Sequence, residues 1–250
     1  MDFWNTIVNP HWIGFVASIS EINADFSGKE EDILHPGEIN VLADIRSKSY
    51  REAWFAGRVL AKQCCGQQSE AAQRMNWNEM QIVSRNAAGK SVAPRLLVQG
   101  RETGLVFSLS HVADRVAVVA LMGREAREHT GGLAPARSCG IGIGCDLVFQ
   151  HAVTPGIVKT FFHDDEVKEH SNFDAIWAVK EAAYKSCNEN EPFQPRQWLM
   201  QRVEENRYFC RHLDEERQLF AEAETLPLGD YTLAVAKKSS LCYTTRAFSG

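Results

Sequence analysis

GIGCDLVF, residues 142–149, and FDAIWAVKEAAYKSC, residues 173–187, decide how the second half of the chain is read. The first is short and apolar, which predicts a strand. Strand side chains alternate between faces. Ile141, Ile143, Cys145 and Leu147 therefore share one face, expected to be the core face, while Gly142, Gly144, Asp146 and Val148 share the other. Two glycines beside a carboxylate leave bare backbone, open to close approach by a ligand or by another segment of the chain. In the second stretch Phe173, Ile176, Trp177, Ala183 and Tyr184 recur at helical spacing and predict an apolar stripe. Glu181 and Lys185 lie four apart, one turn from each other. As an isolated pair they would be an ordinary exposed ion pair. Glu181, four residues beyond Trp177, also borders the stripe.

The rest of the chain organises around these two segments. IGFVASIS (13–20) reads as a strand, and RSKSYREAWFAGRVLAKQCCG (46–66) as a helix ending at Gly66. SEAAQRMNWNEM (69–80) is a polar helical stretch, followed by a turn between Asn86 and Gly89. VFSLSHVADRVAVVALM (106–122) predicts two strands joined at HVADR. RQLFAEAETL and GDYTLAVAKK predict a hairpin with its turn at Pro227 to Asp230. GREAREHTGGLAPARSCG (123–140) breaks every periodicity and reads as a connection between two halves. The expected fold is α+β, with two similar lobes, each an antiparallel sheet packed with helices. The N-terminal lobe would span 1–125, the linker 126–140 and the C-terminal lobe 141–250. No close residue-level repeat accompanies this pattern.

Composition narrows the function classes. The 250 residues are 44% hydrophobic and 24% charged, the balance of a soluble globular protein. A net charge of −5 without a dense Lys/Arg run argues against nucleic acid as a partner. No apolar run approaches the ~18 residues of a membrane span. Seven cysteines without a framework spacing, and a start lacking a signal-peptide pattern, lead us to expect free thiols in the cytoplasm. The eight histidines show no zinc-ligand spacing.

Gly144-Cys145-Asp146 followed by Trp177-Ala178-Val179-Lys180-Glu181-Ala182-Ala183-Tyr184-Lys185 resembles the signature pair of the 4′-phosphopantetheinyl transferase superfamily. FFHDDEVKE (161–169) is similar to the Phe-rich, acidic segment lying between the two parts. In the first half, FSLSH (107–111) resembles the Ser-x-Ser-His strand end of the two-lobed, surfactin-type branch. REAWFAGRVLAK (51–62) resembles that branch's Arg-rich helix, and GKSVAP (89–94) matches its Gly-Lys-Pro segment loosely.

The resemblance implies transfer of the phosphopantetheine arm of coenzyme A to a serine of an apo acyl or peptidyl carrier protein. The by-product would be 3′,5′-adenosine bisphosphate. It implies magnesium held by Asp146 and Glu181, with Lys185 offsetting charge on the leaving phosphate and Glu181 taking the serine proton. Arg51, Arg58, Lys90, Ser110 and His111 would hold coenzyme A, chiefly its 3′-phosphate. Many two-lobed members place a third, metal-binding carboxylate two residues past the aspartate, where this chain has Val148. A monomer is expected. The alternative is an inactive relative that binds coenzyme A or a carrier protein without transfer.

Overall fold

The computed structural model describes residues 4–68, 70–86, 89–122, 141–187 and 192–239. The chain divides into two units, Met1–Ile141 and Gly142–Gly250. The expected linker, 126–140, lies outside the described residues.

Unit one opens with strands β1 (Trp4–Val8) and β2 (Trp12–Ser18). Helices α1 (Ile19–Phe26), α2 (Glu30–Ile33), α3 (Pro36–Asp44), α4 (Lys48–Gln68) and α5 (Glu70–Gln73) follow. Strands β3 (Met80–Arg85), β4 (Ser91–Val98), β5 (Arg101–Glu102), β6 (Phe107–Val112) and β7 (Arg115–Leu121) complete it. The sheets are antiparallel, ordered β1-β2-β7-β6 and β3-β4-β5. Val59, Leu60 and Cys64 of α4 share one core with Phe15 of β2 and Val118 of β7.

The helical stretch expected over 69–80 is an α-helix only over α5, Glu70–Gln73, and two further boundaries differ from expectation. The strand predicted over 13–20 stops at Ser18, because the Ser18 hydroxyl accepts from the Glu21 N–H at 3.2 Å and caps α1. Helix α4 runs past Gly66 to Gln68, since Gly66 does not take the left-handed conformation that would end it.

Unit two contains β8 (Ile143–Phe149), α6 (Pro155–Phe161), α7 (Asp164–Glu169), α8 (Phe173–Cys187), β9 (Trp198–Glu204), β10 (Arg207–His212), β11 (Phe220–Leu228) and β12 (Tyr231–Ser239). Its single antiparallel sheet runs β8-β12-β11-β10-β9. Helix α8 has the bounds read from its periodicity. In the expected hairpin, Pro227 still pairs with Thr232, and the turn tightens to Gly229, at φ +65°, and Asp230. Each unit is thus α+β, with two antiparallel sheets in unit one, one in unit two, and a long helix in each.

A deeper likeness between the units lies in one buried ion pair. In unit one, His35 caps α3, and its N–H donates to Glu38 Oε2 at 3.0 Å. The other oxygen of Glu38 accepts from the Ile82 N–H of β3 at 3.0 Å. Lys62 of α4, wholly buried, meets Glu38 Oε2 and donates to the carbonyls of Ile33 and Trp77 at 2.7 and 3.0 Å.

In unit two, His163 caps α7 and donates to Glu166 Oε2 at 2.9 Å, and Met200 N–H of β9 donates to Glu166 Oε1 at 3.0 Å. Lys180 of α8, also wholly buried, lies 2.7 Å from Glu166 Oε2 and donates to the carbonyls of Pro195 and Phe161 at 3.2 and 3.4 Å. A buried carboxylate and ammonium persist only when paired and fully hydrogen-bonded. Both units meet that demand with the same parts: a His-capped short helix, a lysine of the long helix and an edge-strand N–H.

Candidate active site

Helix α8 rests on β8 where the strand has no side chains. A Cβ at Gly142 would stand 1.8 Å from the Ser186 carbonyl oxygen, and one at Gly144 would stand 2.0 Å from that of Ala182. The glycine-bared face is therefore covered by the helix, and the chain segment, not a ligand, makes the close approach. The face expected to be the core is buried, and the glycine face is buried too. Val148, on the glycine side, packs with Ile176, Val179 and Ala234 in the core of unit two. Ile143, Cys145 and Leu147 on the opposite face are buried as well.

One charged group shares the covered face. Asp146 is 4% exposed, and its carboxylate Oδ1 accepts from Lys185 Nζ at 2.8 Å. Lys185 Nζ also donates to the Cys145 carbonyl at 3.1 Å and stands 3.1 Å from Glu181 Oε1. The side chains of Lys185 and Glu181 remain 25% and 30% exposed, so the cluster opens toward solvent on the helix side. Burial alone would push the Lys185 ammonium down, but Asp146 and then Glu181 outweigh it and hold it above the usual lysine range. Lys185 is therefore a fixed cation between two carboxylates.

The helix start is fastened to the strand end. The Asn172 side chain accepts from the Ala175 N–H at 3.0 Å, and Asp174 accepts from the N–H groups of His151 and Val153, each at 2.8 Å. This ties the first turn of α8 to the loop leaving β8.

The residues expected at coenzyme A fall on unit one and differ in character. His111 is exposed at the end of β6, its ring 6.2 Å from that of Tyr50 in the first turn of α4. Arg51 follows Tyr50 and is exposed, as is Lys90 before β4, whereas Ser110 is buried. Arg58 departs from its expected role. It is 3% exposed, with Nε 3.3 Å from Glu38 Oε1, its terminal nitrogen donating to Ser84 Oγ at 2.7 Å, and its guanidinium 4.3 Å from the Trp54 ring centre. Burial pushes it down to about 10, with Glu38 opposing. Arg58 belongs to the buried frame of unit one.

Lys180 and Glu166 had no role in the sequence reading. Their signal was present as the repeated spacing His-x-x-Glu at 35–38 and 163–166. A cavity of about 150 Å³ in unit two, lined by residues including Tyr184, Trp198, His212 and Arg217, contains none of the triad Asp146, Glu181 and Lys185. Among the described residues no group of three or more His, Cys, Asp or Glu side chains converges on one point.

Residues 142–236 match the family model of the 4′-phosphopantetheinyl transferase superfamily. That span holds β8, α8 and the residues Asp146, Glu181 and Lys185. No curated protein matches the chain.

Solved structures similar to part of it are holo-acyl-carrier-protein synthases. One, from Bacillus anthracis str. Ames in complex with CoA (3′,5′-ADP), is 20% identical over 47% of this chain and 99% of its own, at a TM-score of 0.35. Another, from Neisseria meningitidis, is 18% identical over 44% of this chain and 95% of its own, at 0.33. A third, from Plasmodium yoelii, is 15% identical over 44% and 91%, at 0.32. Among the described residues, no helix is long and apolar enough to cross a membrane.

Proposed function

We propose that the protein is a magnesium-dependent 4′-phosphopantetheinyl transferase of the two-lobed type. It would move the phosphopantetheine arm of coenzyme A to a serine of an apo carrier protein and release 3′,5′-adenosine bisphosphate. The observation that carries this reading is Lys185 held between Asp146 and Glu181 at 2.8 and 3.1 Å. Two carboxylates and a cation at one partly open point suit a pyrophosphate and a hard divalent ion.

Magnesium takes oxygen ligands, commonly one or two carboxylates plus phosphate and water. Asp146 and Glu181 fit as that carboxylate set, and Val148, packed in the core, supplies none. The bound ion would neutralise pyrophosphate charge.

The chain's own residues account for the remaining steps. Glu181, partly exposed, accepts the proton of the serine hydroxyl directly or through water. The serine oxygen forms a bond to the phosphorus that bears pantetheine. The bond from that phosphorus to the bridging oxygen breaks, and its electron pair stays on the adenosine bisphosphate. Lys185, fully protonated at neutral pH, stabilises the charge that develops there. Arg51, Lys90, Ser110 and His111 are assigned to coenzyme A, and Arg58 is withdrawn from that set.

The acceptor is an acyl or peptidyl carrier protein, and the enzyme acts as a cytoplasmic monomer. Its lobes would span 1–125 and 141–250, joined by 126–140. Incubation with apo carrier protein, coenzyme A and magnesium is expected to add the phosphopantetheine mass to the carrier. Absence of that increment with fatty-acid, polyketide and peptide carriers alike would overturn the reading. Coenzyme A binding unaffected by Glu181→Gln would then point to a non-transferring relative. Size-exclusion chromatography tests the monomer.

A further inference from the structure

We infer that the buried Lys180–Glu166 pair is a positioning device, which sets where Glu181 and Lys185 stand against Asp146. Lys180 reaches three separate segments from one point on α8: the end of α6 through the Phe161 carbonyl, α7 through Glu166, and the approach to β9 through the Pro195 carbonyl. Glu166 extends the tie to β9 itself through the Met200 N–H.

Elsewhere on α8, the carbonyl of Ala182 lies on Gly144 and that of Ser186 on Gly142. The helix is thus fixed against rotation at more than one place. Glu181 adjoins Lys180 in sequence, and Lys185 lies five residues on. Turning a helix by about 10° moves a group some 6 Å from its axis by about 1 Å. A misplacement of about 1 Å at a reacting centre is enough to slow a reaction by roughly 10²-fold.

Unit one supplies an internal control. Lys62 anchors α4 through Glu38 in the same way, yet the positions one and five residues beyond it are Gln63 and Gln67. The same anchor stands there beside uncharged residues. Loss of either anchor should weaken its unit, and only loss of Lys180 should disturb the triad.

The test compares Lys180→Met with Lys62→Met in the full chain, using two readouts. The first is acetylation of Lys185 by acetic anhydride, followed by peptide mass mapping, and it needs no transferase activity. Wild-type Lys185, held by Asp146, Glu181 and the Cys145 carbonyl at 2.8, 3.1 and 3.1 Å, is expected to react slowly. Lys180→Met should raise its rate about tenfold, whereas Lys62→Met should leave it within about twofold while also lowering the unfolding temperature.

The second readout rests on the proposed transfer reaction. Lys180→Met should lower kcat at least about tenfold with KM for coenzyme A within about threefold, and Lys62→Met should keep kcat. If Lys180→Met does not fold, Glu166→Gln against Glu38→Gln makes the same comparison. Unchanged Lys185 acetylation in the unit-two variant, or an equal rise in the unit-one variant, overturns the inference. A wild-type protein that transfers nothing overturns the proposed function instead, and the acetylation comparison still decides the positioning role.

Discussion

Lys185 Nζ stands 2.8 Å from Asp146 Oδ1, and the absent Cβ of Gly144 makes that distance possible. A Cβ there would also lie 2.9 Å from Lys185 Cβ itself. The strand that carries the Asp146 carboxylate and the helix that carries the Lys185 ammonium are therefore in register through a residue with no side chain.

Gly144→Ala should destabilise the protein by about 1–3 kcal/mol, because its methyl group would meet rigid backbone at the Ala182 carbonyl. Gly66→Ala, with nothing within 4 Å of the new methyl group in helix α4, should stabilise by about 0.5–1 kcal/mol. Thermal or urea denaturation of the two variants checks both signs.

If the proposed transfer holds, Asp146→Asn and Lys185→Met should each slow it by about 10²–10³-fold, the loss seen when a group facing developing charge is removed from a preorganised site. Steady-state kinetics with apo carrier protein measures this. Retained circular dichroism separates loss of chemistry from loss of fold.

Val148→Glu offers a missing carboxylate to the site, but position 148 is 5% exposed and belongs to the same buried core as Ile176, Val179 and Ala234. A carboxylate introduced there without a partner should lower stability by about 2–4 kcal/mol in metal-free buffer. A melting temperature equal to that of wild type would show that position 148 opens to solvent.

His170 gives unit two an acid-sensitive point. It is 9% exposed, and its buried Nε2 has no hydrogen-bond partner. Desolvation pushes its imidazole below the usual value, with Glu169 and Glu166 opposing. The unfolded chain then binds the proton more readily than the folded one. Stability contributed here is complete above the unfolded pKa of about 6.5 and declines as pH falls toward the folded value. Melting curves from pH 8 to 5 should show that decline, and His170→Phe should flatten it.

The sequence carried helix α8 in full, because fifteen residues of apolar periodicity leave little freedom in where a helix begins and ends. It also carried the triad, since four-residue spacing fixes Glu181 against Lys185. Alternation in β8 showed which residues share a face but not which face the helix covers. The glycines held that answer in their small volume. Arg58 and Lys62 were legible as helix residues and illegible as core, because their partner Glu38 is contributed by a different helix. The duplication stayed hidden because carboxylate and lysine are 24 residues apart in one unit and 14 in the other, which defeats any repeat of fixed period.

The paired frames bear on how the two long helices tolerate change. Glu38 is locked to both Lys62 and Arg58 in the interior, so it cannot be replaced alone without stranding buried charge. Gln63 and Gln67 hold nothing comparable. A library randomised at those two positions should return many folded members, whereas the same library at Glu181 and Lys185 should return folded but silent ones. Permissiveness in this protein would then follow the charges on each helix rather than the helix itself.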